Sequence, residues 1–118
     1  MAPGYGSDGL RGKVKISSKR YSYTQNHVKK ITMPASLGLT VQKIVNLVMH
    51  NGRQKYQFTP EWEGCRYWNY VVISDLEAAG YISKGNAKSV LAALSLYWRY
   101  PAGSGQEPRK VKEGTFRA

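Results

Sequence analysis

From residue 13 to residue 33 polar and apolar positions tend to alternate. Val14 and Ile16 share one face of an extended chain, and Lys13 and Lys15 the other. Tyr21 and Tyr23 share a face of the opposite parity, so one flat strand cannot turn all four apolar side chains inward. A bulge or tight turn near Ser17-Ser18 resolves the conflict. Gln25-Asn26 offers a hairpin turn, and VKKITM (28–33) reads as a further strand ended by Pro34. The pattern predicts a small antiparallel sheet of two or three strands over 13–33.

The period then changes. Val41, Ile44, Val45 and Val48 repeat at helical spacing, which predicts a helix over 40–51 with Thr40 as N-cap and Gly52 just past its end. RQKYQF (53–58) reads as a loop or short strand. Thr59-Pro60 signals a helix start that Gly64 interrupts. Cys65, Trp68, Val72, Leu76 and Ala79 then form one apolar stripe, so the second helix is expected from 61 or 65 to 79, closed by Gly80. A third is expected over 86–100, with Ala87, Val90, Leu91, Leu94 and Trp98 on one face and Pro101 as its stop. Strands first and helices later give an α+β domain over 13–100. The Gly-rich segment 1–12 reads as a flexible loop, and 101–118, rich in Gly, Pro and charge, as a tail pinned by Phe116.

Composition narrows the class. The chain has 118 residues, 42% of them hydrophobic, enough for one domain with a real core. It has no apolar run long enough to span a membrane and no apolar leader, so an intracellular, cytoplasmic or nuclear, location is expected. The lone cysteine excludes an internal disulfide and a cysteine-based zinc cluster. No phosphate-binding glycine loop, dinucleotide fingerprint or metal-ligand spacing is present, so no cofactor or metal is expected. Glu61 and Glu63 complement a helix start, while Asp75 and Glu77 do not share a helix face, so neither pair reads as an acid–base couple.

Charge changes the picture more. The net charge is +11, of which +9 lies in residues 1–56, none in 57–100 and +2 in 101–118. Such a domain attracts polyanions. Lys13, Lys15, Lys19, Arg20, Lys29 and Lys30, with Tyr21 and Tyr23 interleaved, would hold phosphates and stack on unpaired bases, and Arg53 and Lys55 extend the basic set. The competing reading makes the tyrosines core and the lysines edge-strand protection. Trp62, Tyr67, Trp68 and Tyr70 crowd around Cys65, and Tyr97, Trp98 and Tyr100 end the third helix; these rings read as core, or as a pocket wall or association face.

Cys65 stands at the expected N-terminus of the most apolar helix, where unpaired N–H groups and Arg66 favour a thiolate. A nucleophile also needs a base, and the histidines are His27, at a strand edge or turn, and His50, in the last turn of the first helix. Otherwise Cys65 is a small buried hydrophobe.

The string GRQKYQFTPEWEGCRYWNYVVISDLEAAGYI (52–82), with PGYGSDGLRGKVKISSKRY before it and YWRYPAG…EPRKVKEGTFR after it, resembles an uncharacterised domain family seen mainly in fungi. That family implies no function. Gly64-Cys65 followed by Trp68 is also similar to the helix start of circularly permuted papain-like hydrolases and acyltransferases. This second resemblance implies a papain-like fold, with Cys65 as nucleophile and a histidine from an earlier strand as base. Members of the uncharacterised family carry an Asn-His-Trp on an additional strand, a motif this sequence lacks; His27 is the one histidine on an expected strand or its edge, and the resemblance then implies a shortened copy of the papain-like fold. Three readings follow. The first is a non-enzymatic basic domain binding nucleic acid (RNA or single-stranded DNA) or another polyanion. The second is a cysteine hydrolase or acyltransferase using Cys65. The third is a structural module that joins a protein partner or a second copy through an exposed sheet edge. None involves a membrane.

Overall fold

Thr40 opens the first helix: its hydroxyl accepts a hydrogen bond from the Lys43 N–H at 3.2 Å, and α1 runs Val41–His50. The structure is a computed structural model and describes residues 1–4, 9–20 and 26–118. Two further helices follow, α2 (Cys65–Ala78) and α3 (Asn86–Leu94). Six short strands complete the described elements: β1 (Ala2–Pro3), β2 (Gly12–Lys13), β3 (Tyr56–Gln57), β4 (Leu96–Trp98), β5 (Gln106–Pro108) and β6 (Thr115–Phe116). They pair antiparallel as β1 with β2, β3 with β6, and β4 with β5. A bridge between Arg11 and Gln57 joins the first two pairs. The fold is therefore α+β, with three helices and small antiparallel sheets.

The strands are not where alternation alone puts them. Within 13–33 the described strand content is Lys13, the end of β2, and the run 28–33 is not a strand. The reason is burial. Ile16 and Ile31, which would face a core from such a sheet, are 63% and 39% exposed. Val14 and Met33 pack partly against the core, but with Ile16 and Ile31 in solvent the segment has no continuous apolar face that pairing would bury. Gln25 and the strand positions Tyr21 and Tyr23 fall on 21–25, outside the described residues, while Asn26 lies in a turn.

The third helix also ends earlier, at Leu94 rather than near residue 100. Its last carbonyls are claimed from outside the helix. The Trp98 indole N–H donates to the Ala93 carbonyl, the Arg66 guanidinium to that of Leu94, and the Arg109 N–H to that of Ser95. Leu96, Tyr97 and Trp98 leave the helix and pair with Pro108, Glu107 and Gln106. Aromatic residues suit a strand, and here a long-range partner overrides local helical spacing. Residues 101–118, read from composition as a tail, supply β5 and β6.

The core lies where α1, α2 and β3 meet. Val48, Tyr56, Phe58, Trp68, Val72, Leu76 and Ile82 form its buried cluster. The α2 stripe is as its spacing implies at Trp68, Val72 and Leu76, whereas Cys65 and Ala79 at its ends are exposed. On α1 the covered side is Ile44, Leu47 and Val48, and Val41 faces solvent.

Tyr56 is the hub. It is 0% exposed, its hydroxyl donates to the Gly64 carbonyl at 2.6 Å, and it accepts from the Gly114 N–H at 2.9 Å. Its ring packs on Phe58 and Phe116 with centroids 5.3 and 4.9 Å away. Both glycines are required by this approach. A Cβ at Gly64, where φ is +131°, would come 2.6 Å from the Tyr56 hydroxyl, and one at Gly114 would come within 2.3 Å of the Gln57 carbonyl. Nearby, Arg53 reaches Asp75 with two hydrogen bonds of 2.7 and 3.0 Å, and its carbonyl accepts from the Trp68 indole at 2.7 Å.

Candidate functional site

The β4–β5 hairpin and the start of α2 enclose a groove of about 640 Å³. Residues 62–66 form one wall, β4 another, and residues 109–112 the third. A second hollow of about 410 Å³ adjoins it, bounded by residues 27–30 and the 99–106 turn. The two hollows share Val28 and Trp98. Arg66 holds this architecture together: besides Leu94, its guanidinium donates to the carbonyls of Lys110 and Arg109, tying the end of α3 to the third wall. Its charge is directed at backbone rather than at the groove.

The remaining cations face a different environment. Lys29, Lys30 and Arg99 border the smaller hollow, and Arg109, Lys110 and Lys112 the larger one. Rings sit among them. The Lys29 ammonium lies 4.7 Å from the Trp98 centroid, and the Arg109 guanidinium 4.0 Å from that of Tyr97. The Trp98 indole N–H, bound to Ala93 at 2.9 Å, fixes that ring's orientation. Tyr97 and Trp62 are 43% and 45% exposed. Glu107 is the counter-charge of the hairpin, 2.9 Å from Arg99 and 3.7 Å from Arg109. Cations set beside exposed, oriented rings can hold an anionic chain and stack on flat groups attached to it.

The residues singled out in the sequence separate into groups. Lys29 and Lys30 lie at the smaller hollow. Lys13, Lys15, Lys19 and Arg20 are exposed on the segment leading from β2, and neither hollow includes them. Lys55 is exposed in the turn before β3. Arg53 is occupied by Asp75, whose hydrogen bond raises the guanidinium's already high pKa, and it also lies 4.8 Å from the Phe116 centroid. Tyr21 and Tyr23 are outside the described residues.

Cys65 is exposed rather than buried. It is the first residue of α2, with Gly64 as an N-cap that offers no side chain and no acid in the first turn, and it borders the larger groove. His27 borders the smaller hollow, and His50 is exposed at the end of α1. Among the described residues no cluster of three or more His, Cys, Asp or Glu could hold a metal ion. No helix among them is long and apolar enough to cross a membrane.

Sequence reasoning missed Arg109, Lys110 and Lys112 as site residues because they stood in a stretch read as a tail. It placed Trp98 on a helix. The usable signal was Leu96-Tyr97-Trp98, then a Pro-Ala-Gly-Ser-Gly cluster, then a second short run, which is a hairpin signature.

No curated protein and no solved structure matches the chain. A family does: over residues 1–117 the sequence fits a domain of unknown function, DUF7770, and the chain belongs to that family.

Proposed function

We propose that the protein is a non-enzymatic binding domain whose partner is a polyanion, nucleic acid with unpaired bases first among them. One observation carries this reading: cations from residues 29–30, 99 and 109–112 converge on two adjoining hollows that also carry Tyr97 and Trp98. These segments are far apart in sequence, and the fold places their like charges together. Glu107 offsets Arg99 and Arg109 in part, and the net positive character of the two hollows favours an anionic partner. Lys29, Lys30, Lys110 and Lys112 would neutralise phosphates, with Lys13, Lys15, Lys19 and Arg20 adding longer-range attraction. Arg53 has no part in this, since its charge serves Asp75.

The test is fluorescence anisotropy with labelled single-stranded RNA and DNA at 50 and 200 mM salt. Binding should weaken steeply with salt, and the slope should fall by about one unit for each phosphate-contacting cation removed. Reversal of Lys29, Lys30, Lys110 and Lys112 to Glu should abolish it. Absence of binding at 50 mM salt, or binding untouched by the reversals, overturns the reading.

A second reading, a papain-like thiol enzyme, draws support from the exposure of Cys65 at the groove. His27 would be its base. The pH profile of iodoacetamide labelling separates the two. A labelling midpoint clearly below about 8.5, the value of an ordinary thiol, supports a nucleophile. A midpoint at or above it removes that reading.

A further inference from the structure

Residues 109–112 carry three of the groove's cations, yet they lie between β5 and β6 in neither strand nor helix. Such a segment has no ladder of its own to fix where its side chains point. Contacts from outside do so here. The Arg109 N–H donates to the Ser95 carbonyl at 2.8 Å, and the carbonyls of Arg109 and Lys110 accept from the Arg66 guanidinium at 3.4 and 3.0 Å. Both polar groups of the Arg109 main chain are thereby held, and its guanidinium rests 4.0 Å from the Tyr97 centroid. Arg66 reaches this segment from the first turn of α2, 43 and 44 residues away, and the same Nη1 also donates to Leu94 at the end of α3. Its acceptors are all carbonyls, and among the described residues no carboxylate pairs with it. A planar guanidinium divides its donors among three carbonyls in fixed positions. A lysine ammonium is a single point on a flexible stem and holds such a set less firmly. The position therefore uses the shape of arginine rather than its charge.

We infer that Arg66 is a positioning residue for the anion-binding groove. It holds Arg109 and Lys110, and through them Lys112, toward an anionic chain that it does not itself touch. This deepens the polyanion-binding reading and rests on it. It also assigns the two arginines of the groove different tasks: Arg109 meets the ligand, and Arg66 fixes the backbone that presents Arg109.

Arg66→Lys keeps the charge and removes the fork. With labelled single-stranded RNA it should weaken binding about tenfold and lower the salt slope by about one unit, although the net charge of the protein is the same. In an Arg109→Ala, Lys110→Ala background, where Lys29, Lys30 and Lys112 still bind, the same change should weaken binding no more than about twofold, because the cations it positions are gone. Arg53→Lys is the control, since that guanidinium serves Asp75. It should lower the melting temperature and leave binding within about twofold. Limited trypsin digestion follows the segment itself. The parent should be cut after Lys15 and Lys19, which are exposed, well before it is cut after Arg109 or Lys110, and Arg66→Lys should bring the later cuts forward. If the parent binds the RNA and Arg66→Lys binds it equally well, the inference fails while the broader reading stands. A loss undiminished in the doubly substituted background also overturns it, since Arg66 would then contact the ligand directly. So does an equal loss in Arg53→Lys, or a parent cut after Arg109 as fast as after Lys19. If the parent binds no RNA at 50 mM salt, both fall.

Discussion

Two arginine–aromatic pairs in this protein look alike as chemistry and differ in purpose. Arg53 lies 4.8 Å from the Phe116 ring and is bound twice by Asp75, with side chains only 25% and 15% exposed. Arg109 lies 4.0 Å from the Tyr97 ring and 3.7 Å from Glu107, with side chains 51% and 44% exposed. In the first pair water is largely excluded and the charges must satisfy each other. In the second, water screens the pair and the guanidinium remains accessible to another anion. The same residue types thus build a covered joint near Tyr56 and a solvent-exposed pair beside the groove. Burial, rather than composition, separates them.

Substitutions at the joint should be far more disruptive than those at the groove, and the contrast can be pushed from either end. Gly114→Ala should have the largest effect. Its methyl would meet the Gln57 carbonyl and the Tyr56 ring at distances backbone atoms cannot relieve, and urea unfolding should show a loss of about 3 kcal/mol or more. Asp75→Ala leaves the Arg53 guanidinium without its partner in a mostly covered site, and should cost roughly 2–3 kcal/mol by the same measurement. Tyr56→Phe removes one hydroxyl that serves both Gly64 and Gly114, for a loss of about 1–2 kcal/mol near pH 8.

That last loss should depend on pH in a defined direction. Burial pushes the Tyr56 hydroxyl above its ordinary range, with the Gly114 N–H opposing. The folded state therefore holds this proton more tightly than the unfolded one. Its contribution is complete below about pH 10 and is lost as the pH climbs beyond that. The stability gap between the parent and Tyr56→Phe should narrow above pH 10, and a gap that widens there would contradict the burial argument. Arg109→Ala marks the small end of the scale. Its stability change should stay under about 0.5 kcal/mol, while the salt slope of RNA binding should fall by about one unit. A large loss of stability would place Arg109 with Arg53 and erase the distinction.

How far these regions could be foreseen follows from what each depends on. The helices were legible because burial on one side leaves a local period: Trp68, Val72 and Leu76 lie where their spacing puts them. Caps were legible for the same reason, since Thr40 bonds a neighbour three residues away. The strands were not. Each is two or three residues long, too short for alternation to show, and each is defined by a remote partner such as Phe116 opposite Tyr56. Among the described residues, alternation over 14–20 and 26–33 has no strand partner. Of the residues singled out in the sequence, Lys29, Lys30 and Cys65 border the hollows, whereas Trp68 of the aromatic cluster lies in the core. The candidate site was hidden at residues 109–112, because their placement depends on the hairpin that turns β5 back along β4 and on Arg66 holding the carbonyls of Arg109 and Lys110.

The hydrogen bond from Gly114 to Tyr56 spans 58 residues of chain. Closing a loop of that length carries an entropic cost that local helix formation does not. The Tyr56 hydroxyl can already donate to Gly64 eight residues away, so the helices can meet before residues 114–116 add the Gly114 N–H and the Phe116 ring. On the ribosome this orders events in time. Until residue 114 has emerged, the nascent domain exposes the Tyr56 edge to other chains, and a pause in translation before that point would lengthen its vulnerability to aggregation.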